Sequence, residues 1–128
     1  MNQHAVVWID HKEARVFHIH PDRVDESTIE APKHDVYKHP KGPEGVKERP
    51  DDAKRFFHEV GRSLKETDSV LVVGPSTAKL EFFRYIHEHD RAAERKIVGI
   101  ETVDHPTDGQ IIAYARKYFR LGERVRSP

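Results

Sequence analysis

The chain has 128 residues, enough for one domain with a genuine core and too few for two. Its 22 basic and 22 acidic residues cancel, so no overall field favours bulk binding to nucleic acid or anionic lipid, although charged residues reach 34% against an average of about 25%. Cysteine is absent, which excludes disulfides, thiolate metal sites and thiol nucleophiles, while ten histidines make the net charge climb as pH falls.

The N-terminus, MNQHAVVWIDHKEAR, lacks the apolar run of a signal peptide. The longest uninterrupted apolar stretch, Val70 to Val73, is far short of a membrane span. A single cytoplasmic domain over residues 1–128, with no membrane partner, is the expectation.

Residues 4–10 are β-rich and almost continuously apolar (Ala5, Val6, Val7, Trp8, Ile9), which predicts a strand buried on both faces. Residues 14–20 alternate, with Val16, His18 and His20 on one side and Arg15, Phe17 and Ile19 on the other, which predicts a half-buried strand. The short polar link Asp10-His11-Lys12-Glu13 makes the pair a hairpin. Thr28 to Ala31 suits a short third strand at the edge.

Residues 32–50 hold four prolines, Gly42 and Gly45, and read as one long basic loop, a length that in a small domain usually signals function. Beyond it Ala53, Phe56, Phe57, Val60 and Leu64 recur at one helical face, with Pro50, Asp51 and Asp52 suited to the first turn. Ser69 to Val73 is a short apolar strand ending at Gly74-Pro75. Ser76 or Thr77 then caps a helix predicted to face inward through Leu80, Phe83 and Ile86. Lys96 to Glu101 reads as a further buried strand through Ile97, Val98 and Ile100. Thr107-Asp108-Gly109-Gln110 fits a capping box and opens a helix with Ile111, Ile112, Ala115, Tyr118 and Phe119 inward. Residues 121–128 are expected to be a basic, frayed tail.

The order is β-β-(β)-α-β-α-β-α, an α/β class. Strands followed by helices close by right-handed crossovers, so the last two should run parallel to a central strand, with the hairpin as the antiparallel edge of a three-layer mixed sheet. An exposed sheet edge would also allow self-association into a homo-oligomer.

Ligands of open α/β sheets gather beyond the carboxyl ends of the parallel strands. Asp10-His11, Gly74 to Thr77 and Thr102 to Gln110 should meet there. Gly74, Ser76, Thr77, Lys79, Asp104, His105, Thr107, Asp108 and Gln110 are thus candidates for a small ligand or anion. The same residues are also what ordinary strand-to-helix turns require.

GPSTAK lacks the second glycine and the Lys-Ser/Thr pair of a phosphate loop. Asp10 and Asp104 are too few carboxylates for two-metal chemistry, and Asp10 also suits a turn. His18 with His20, and His87 with His89, find no third ligand at a recognised spacing, so no metal or other cofactor is expected. Ser76, His105 and Asp104 or Asp108 could compose a hydrolase, but Ser76 follows Pro75 without a nucleophile elbow. No complete catalytic constellation is present.

Positive charge concentrates in two segments. Residues 33–49 carry five Lys/Arg against three acids, and residues 114–128 carry five against one. In the first segment Lys33, Lys38, Lys41, Lys47 and Arg49 suit phosphate contacts, with His34 and His39 beside them and Tyr37 available to stack on a base.

VLVVGPSTAKLEFFRYI, followed by KIVGIETVDHPTDGQIIAYARKYF, resembles the middle domain of archaeal and eukaryotic class-1 peptide release factors and Pelota. VVWIDHKEARVFHI is similar to that domain's opening hairpin. The blocks APKH, HPKG, PDDAKRFFHEV, VVGPSTAKLE and ETVDHPTDGQ further resemble a small bacterial "translational machinery protein" family, over nearly everything from Ala5 to Phe119.

The resemblance implies a ribonuclease H-like, translational machinery component-like fold and a role near ribosomes or RNA. Release factors hydrolyse peptidyl-tRNA through a Gly-Gly-Gln loop between the early strands and the long helix. Here that stretch reads HPKGPEG, and Gln110 follows a single glycine at the last helix instead. The expectation is therefore a non-enzymatic RNA- or ribosome-binding domain, with a strand-end ligand binder or hydrolase around Ser76 and Asp104 to Asp108 as the alternative.

Overall fold

The strand most apolar in sequence lies at the centre of the sheet. In the computed structural model, which describes residues 3–32 and 50–126, β1 (His4–Ile9) is buried on both faces from Ala5 to Ile9. It pairs antiparallel with β2 (Glu13–Ile19), from His4 opposite Ile19 to Ile9 opposite Ala14. On its other side it pairs in parallel with β4 (Ser69–Gly74), from His4 beside Ser69 to Trp8 beside Val73. β3 (Val24–Glu30) extends the sheet beyond β2, and β5 (Ile97–Thr102) lies parallel to β4, giving the order β3-β2-β1-β4-β5. The expected mixed sheet, with two strands parallel to a central one, is what the chain forms.

Helices cover both faces, making three layers. Against one face, α1 (Pro50–Arg62) and α2 (Ala78–His89) pack Phe56, Phe57, Val60, Phe82 and Ile86 onto Val7, Ile9, Val16, Val70 and Val72. Against the other, α4 (Asp108–Arg126) packs Ile111, Ala115 and Phe119 onto Val6, Trp8, Phe17 and Leu71. Each large side chain buried in this way contributes about 1.5–3 kcal/mol. The α1 face is the predicted one, with Leu64 buried just after the helix and Ala53 packed at its margin.

Several local expectations are corrected. β2 is not half-buried: Val16 meets the α1 layer while Phe17 and Ile19 meet α4, because helices lie on both sides. β3 is longer than Thr28 to Ala31, beginning at Val24; cross-strand pairing with β2 extends it through polar residues that no apolar pattern marks. α2 turns inward through Ala78, Lys79, Phe82 and Ile86, while Leu80 is 54% exposed. β5 is an edge strand, so Val98 is exposed rather than buried. A short helix, α3 (Arg91–Glu94), capped by the Asp90 carboxylate on Ala93 N at 3.0 Å, had no counterpart in the sequence reading. α4 runs on to Arg126. Among the described residues no helix is long and apolar enough to cross a membrane.

Candidate functional site

The carboxyl ends of β1, β4 and β5 lie at one edge of the sheet, as parallel pairing requires. Gly74 ends β4 hard against β1, where a Cβ would run into the Ile9 carbonyl oxygen. The Gly74 carbonyl in turn accepts from Val103 N at 3.0 Å, so the segment leaving β5 is held to the end of β4. Three of the expected segments therefore do converge, but the sheet divides their side chains between its two faces.

On the α2 side, Ser76 and Thr77 serve the turn. Ser76 Oγ accepts from Ala78 N at 3.4 Å, and the Ser76 carbonyl accepts from Lys79 Nζ at 2.6 Å. Lys79 is only 6% exposed, so its ammonium is committed inward. Thr77 holds the N-cap position in a helical conformation and makes no side-chain cap bond. Its hydroxyl donates instead to Glu81 Oε2 at 3.1 Å, the oxygen that also lies 3.3 Å from His11 Nε2. This contact ties the β1–β2 hairpin to the first turn of α2. Asp10 holds the same hairpin, its Oδ1 accepting from Lys12 N at 2.8 Å and Glu13 N at 2.9 Å, an Asx turn.

On the α4 side, Thr107 and Gln110 form the predicted capping box. Thr107 N donates to Gln110 Oε1 at 2.9 Å and Gln110 N to Thr107 Oγ1 at 3.2 Å. Trp8 Nε1 donates to the Asp104 carbonyl at 3.3 Å, and the His105 ring lies 6.0 Å from the indole. The Arg15 guanidinium sits 5.0 Å above the Trp8 ring and bonds both Glu13 at 3.0 Å and Asp108 at 2.9 Å. Burial pulls the Arg15 pKa down, but those two carboxylates outweigh it and hold it above the ordinary value. Glu26, on β3, faces Asp108. The hydrogen bond between the two carboxyls raises the Glu26 pKa, with burial adding to the rise and Arg15 opposing it.

Chemically, this edge is a set of internally satisfied turns and one charged cluster built on Arg15. Asp104 and His105 are exposed, and Asp108 is engaged by Arg15. Among the described residues no group of three or more His, Asp or Glu is arranged to hold a metal ion. His18 Nε2 instead lies 2.9 Å from the Ser63 carbonyl, and His20 Nε2 lies 3.0 Å from Asp25 Oδ2. Lys33, His34, Tyr37, Lys38, His39, Lys41, Lys47 and Arg49 lie outside the described residues.

Sequence reading did not assign Trp8, Arg15, Glu26 or Glu81 to this edge. The hairpin register carries the signal for one pair, because a turn over Asp10 to Glu13 places Trp8 directly opposite Arg15.

No protein-family model and no curated protein sequence matches the chain. Solved structures do match it. The Pelota protein of Thermoplasma acidophilum aligns over 92% of this chain and 31% of its own, at 21% identity and a TM-score of 0.57. The archaeal translation termination factor aRF1 aligns over 94% and 40%, at 16% identity and 0.56. Dom34 of S. cerevisiae aligns over 94% and 38%, at 10% identity and 0.51. The chain thus shares with these factors a middle-domain-like fold, and it spans about a third of their length.

Proposed function

We propose that this chain is a non-enzymatic, translation-associated domain that binds RNA or the ribosome, touching phosphate through Lys33, Lys38, Lys41, Lys47 and Arg49. The observation that carries the reading is the fold likeness to Pelota, to the termination factor aRF1 and to Dom34, a translation termination-like factor involved in RNA quality control. The uneven charge of the sequence supports it, since five basic residues fall within the 17 positions 33–49 of a chain that is neutral overall. The strand-end edge fits a supporting role better than a reactive one, because Ser76, Thr77, Lys79, Thr107 and Gln110 are bonded within their own turns. Peptidyl-tRNA hydrolysis is not proposed, as no Gly-Gly-Gln occurs in the chain.

Co-sedimentation of the tagged protein with ribosomes from lysate, at low and then high salt, tests the reading. Salt-sensitive association is expected, and reversing the five charges to Glu should abolish it and flatten its salt dependence. Failure to co-sediment at either salt, or equal binding by the reversed chain, would overturn it. The strand-end cluster of Ser76, Asp104, His105 and Asp108 would then become the place to look for a ligand.

A further inference from the structure

At the opposite end of the sheet from those turns, a groove of about 350 Å³ opens between the end of β2 and the middle of α4. It is lined by His4, His20, Pro21, Arg116, Phe119 and Arg120, with the Ile19 side chain at its base, and none of its lining residues is acidic. Arg116 and Arg120 are one helical turn apart, so both reach the same side of α4. Arg116 Nη1 donates to the His20 carbonyl at 3.2 Å, which fixes that guanidinium at the rim. Among the described residues neither arginine is paired with a carboxylate. By contrast, Arg15, Arg23 and Arg91 all are. Asp25, 3.0 Å from the His20 ring, is shared between His20 and Arg23. The floor is aromatic and apolar: the His4 ring stacks on Phe119 at 4.2 Å and 12°, beside buried Ile19.

We propose that this groove binds a nucleotide, with its phosphate on Arg116 and Arg120 and its base against Pro21 and the His4–Phe119 stack. Two guanidiniums one turn apart present forked donors that match phosphate oxygens, which a single lysine would not. The volume falls at the low end of the range for small-molecule sites, the size of one nucleotide rather than a dinucleotide. The ligand chemistry is a nucleoside phosphate, supplied either as a free mononucleotide or as one residue of a single-stranded RNA. The lining residues named above lie on β1, on β2 and the turn after it, and on α4.

The test is titration of the full chain with AMP, adenosine, inorganic phosphate and hexa-adenylate RNA, followed by calorimetry and by the NMR signals of His4, His20 and the two arginines. AMP or the hexamer should bind and shift those signals, adenosine should not, and Arg116→Gln with Arg120→Gln should weaken binding about tenfold for each guanidinium lost. Thermal unfolding checks the fold of the double variant, and Arg120→Gln alone, at an exposed position, gives a second reading if the double variant is unstable.

A hexamer bound tenfold or more tightly than AMP would identify the RNA residue as occupant, and equal affinities would identify the free nucleotide. The chain with residues 33–49 charge-reversed should retain AMP binding, which separates this groove from the ribosome reading. Unmoved groove signals with every probe, undiminished binding by both variants, or inorganic phosphate matching AMP in affinity would overturn the proposal.

Discussion

Arg15 Nη1 donates to Asp108 Oδ1 at 2.9 Å, joining the second strand to the first turn of a helix 93 positions later. The same guanidinium lies over the Trp8 ring, so a single side chain holds the hairpin, the indole and the start of α4 together. Replacing Arg15 by Gln removes two ion pairs and a cation–π contact from a site about one-third exposed. Solvent screening limits the cost to about 1–2 kcal/mol. Trp8 is the sole tryptophan, so its emission should shift along with the melting temperature. If Arg15→Gln leaves both unchanged, the cluster does not hold these elements together.

Glu26 offers a pH readout of the same cluster. Its pKa is raised by its hydrogen bond to Asp108 and by burial, against the pull of Arg15. For an acid whose folded pKa exceeds its unfolded value, the stabilisation is complete below the ordinary carboxylate range and is lost as pH rises through the raised value. As pH rises past that value Glu26 gives up the proton of this hydrogen bond, and the bond to Asp108 is lost. Glu26→Gln should raise the melting temperature there by about a degree, consistent with a screened surface interaction, and should do nothing at pH 4. A gain that is the same at both pH values would contradict the pairing.

What the sequence disclosed follows from the range of each interaction. The Thr107–Gln110 box and the α1 face of Phe56, Phe57 and Val60 are local patterns, and both stand in the structure. On α2, Ile86 faces inward as expected, but Lys79 takes the place of Leu80: its stem packs inward and its ammonium reaches the Ser76 carbonyl. Leu80, read as inward, is left in solvent. Val98 looked like a core residue because apolarity cannot tell an edge strand from a central one. The convergence of Arg15, Glu26 and Asp108 draws on three distant segments and has no local signature. Nor has the groove at Arg116 and Arg120, which exists only once β2 meets α4.

Gly74 is required by proximity, since a Cβ there would strike the Ile9 carbonyl on the neighbouring strand. Gly74→Ala must push β4 from β1 and should cost about 1–3 kcal/mol. Gly109, in the first turn of α4, has open space around it, with Thr107 Oγ1 4.0 Å from the added carbon. Gly109→Ala should thus be neutral or stabilising by up to about 1 kcal/mol. Denaturant midpoints for the two variants check the contrast, and equal effects would refute the close approach at Gly74.

Tyr114, on the exposed side of α4, donates its phenol to Glu101 at the end of β5. That hydrogen bond, with burial and the Glu101 charge adding to it, pushes its pKa up to about 12. The bond exists only with the phenol protonated, so its contribution is complete below about pH 10, where an unfolded tyrosine titrates, and is lost as pH rises through about 12. Ultraviolet titration should show a tyrosine ionising late, and Tyr114→Phe should remove that late step. Glu101→Gln keeps an acceptor while removing the charge, so it should bring the late step down partway toward the ordinary value. A late step that survives Tyr114→Phe would assign it to another tyrosine and count against the Tyr114–Glu101 bond.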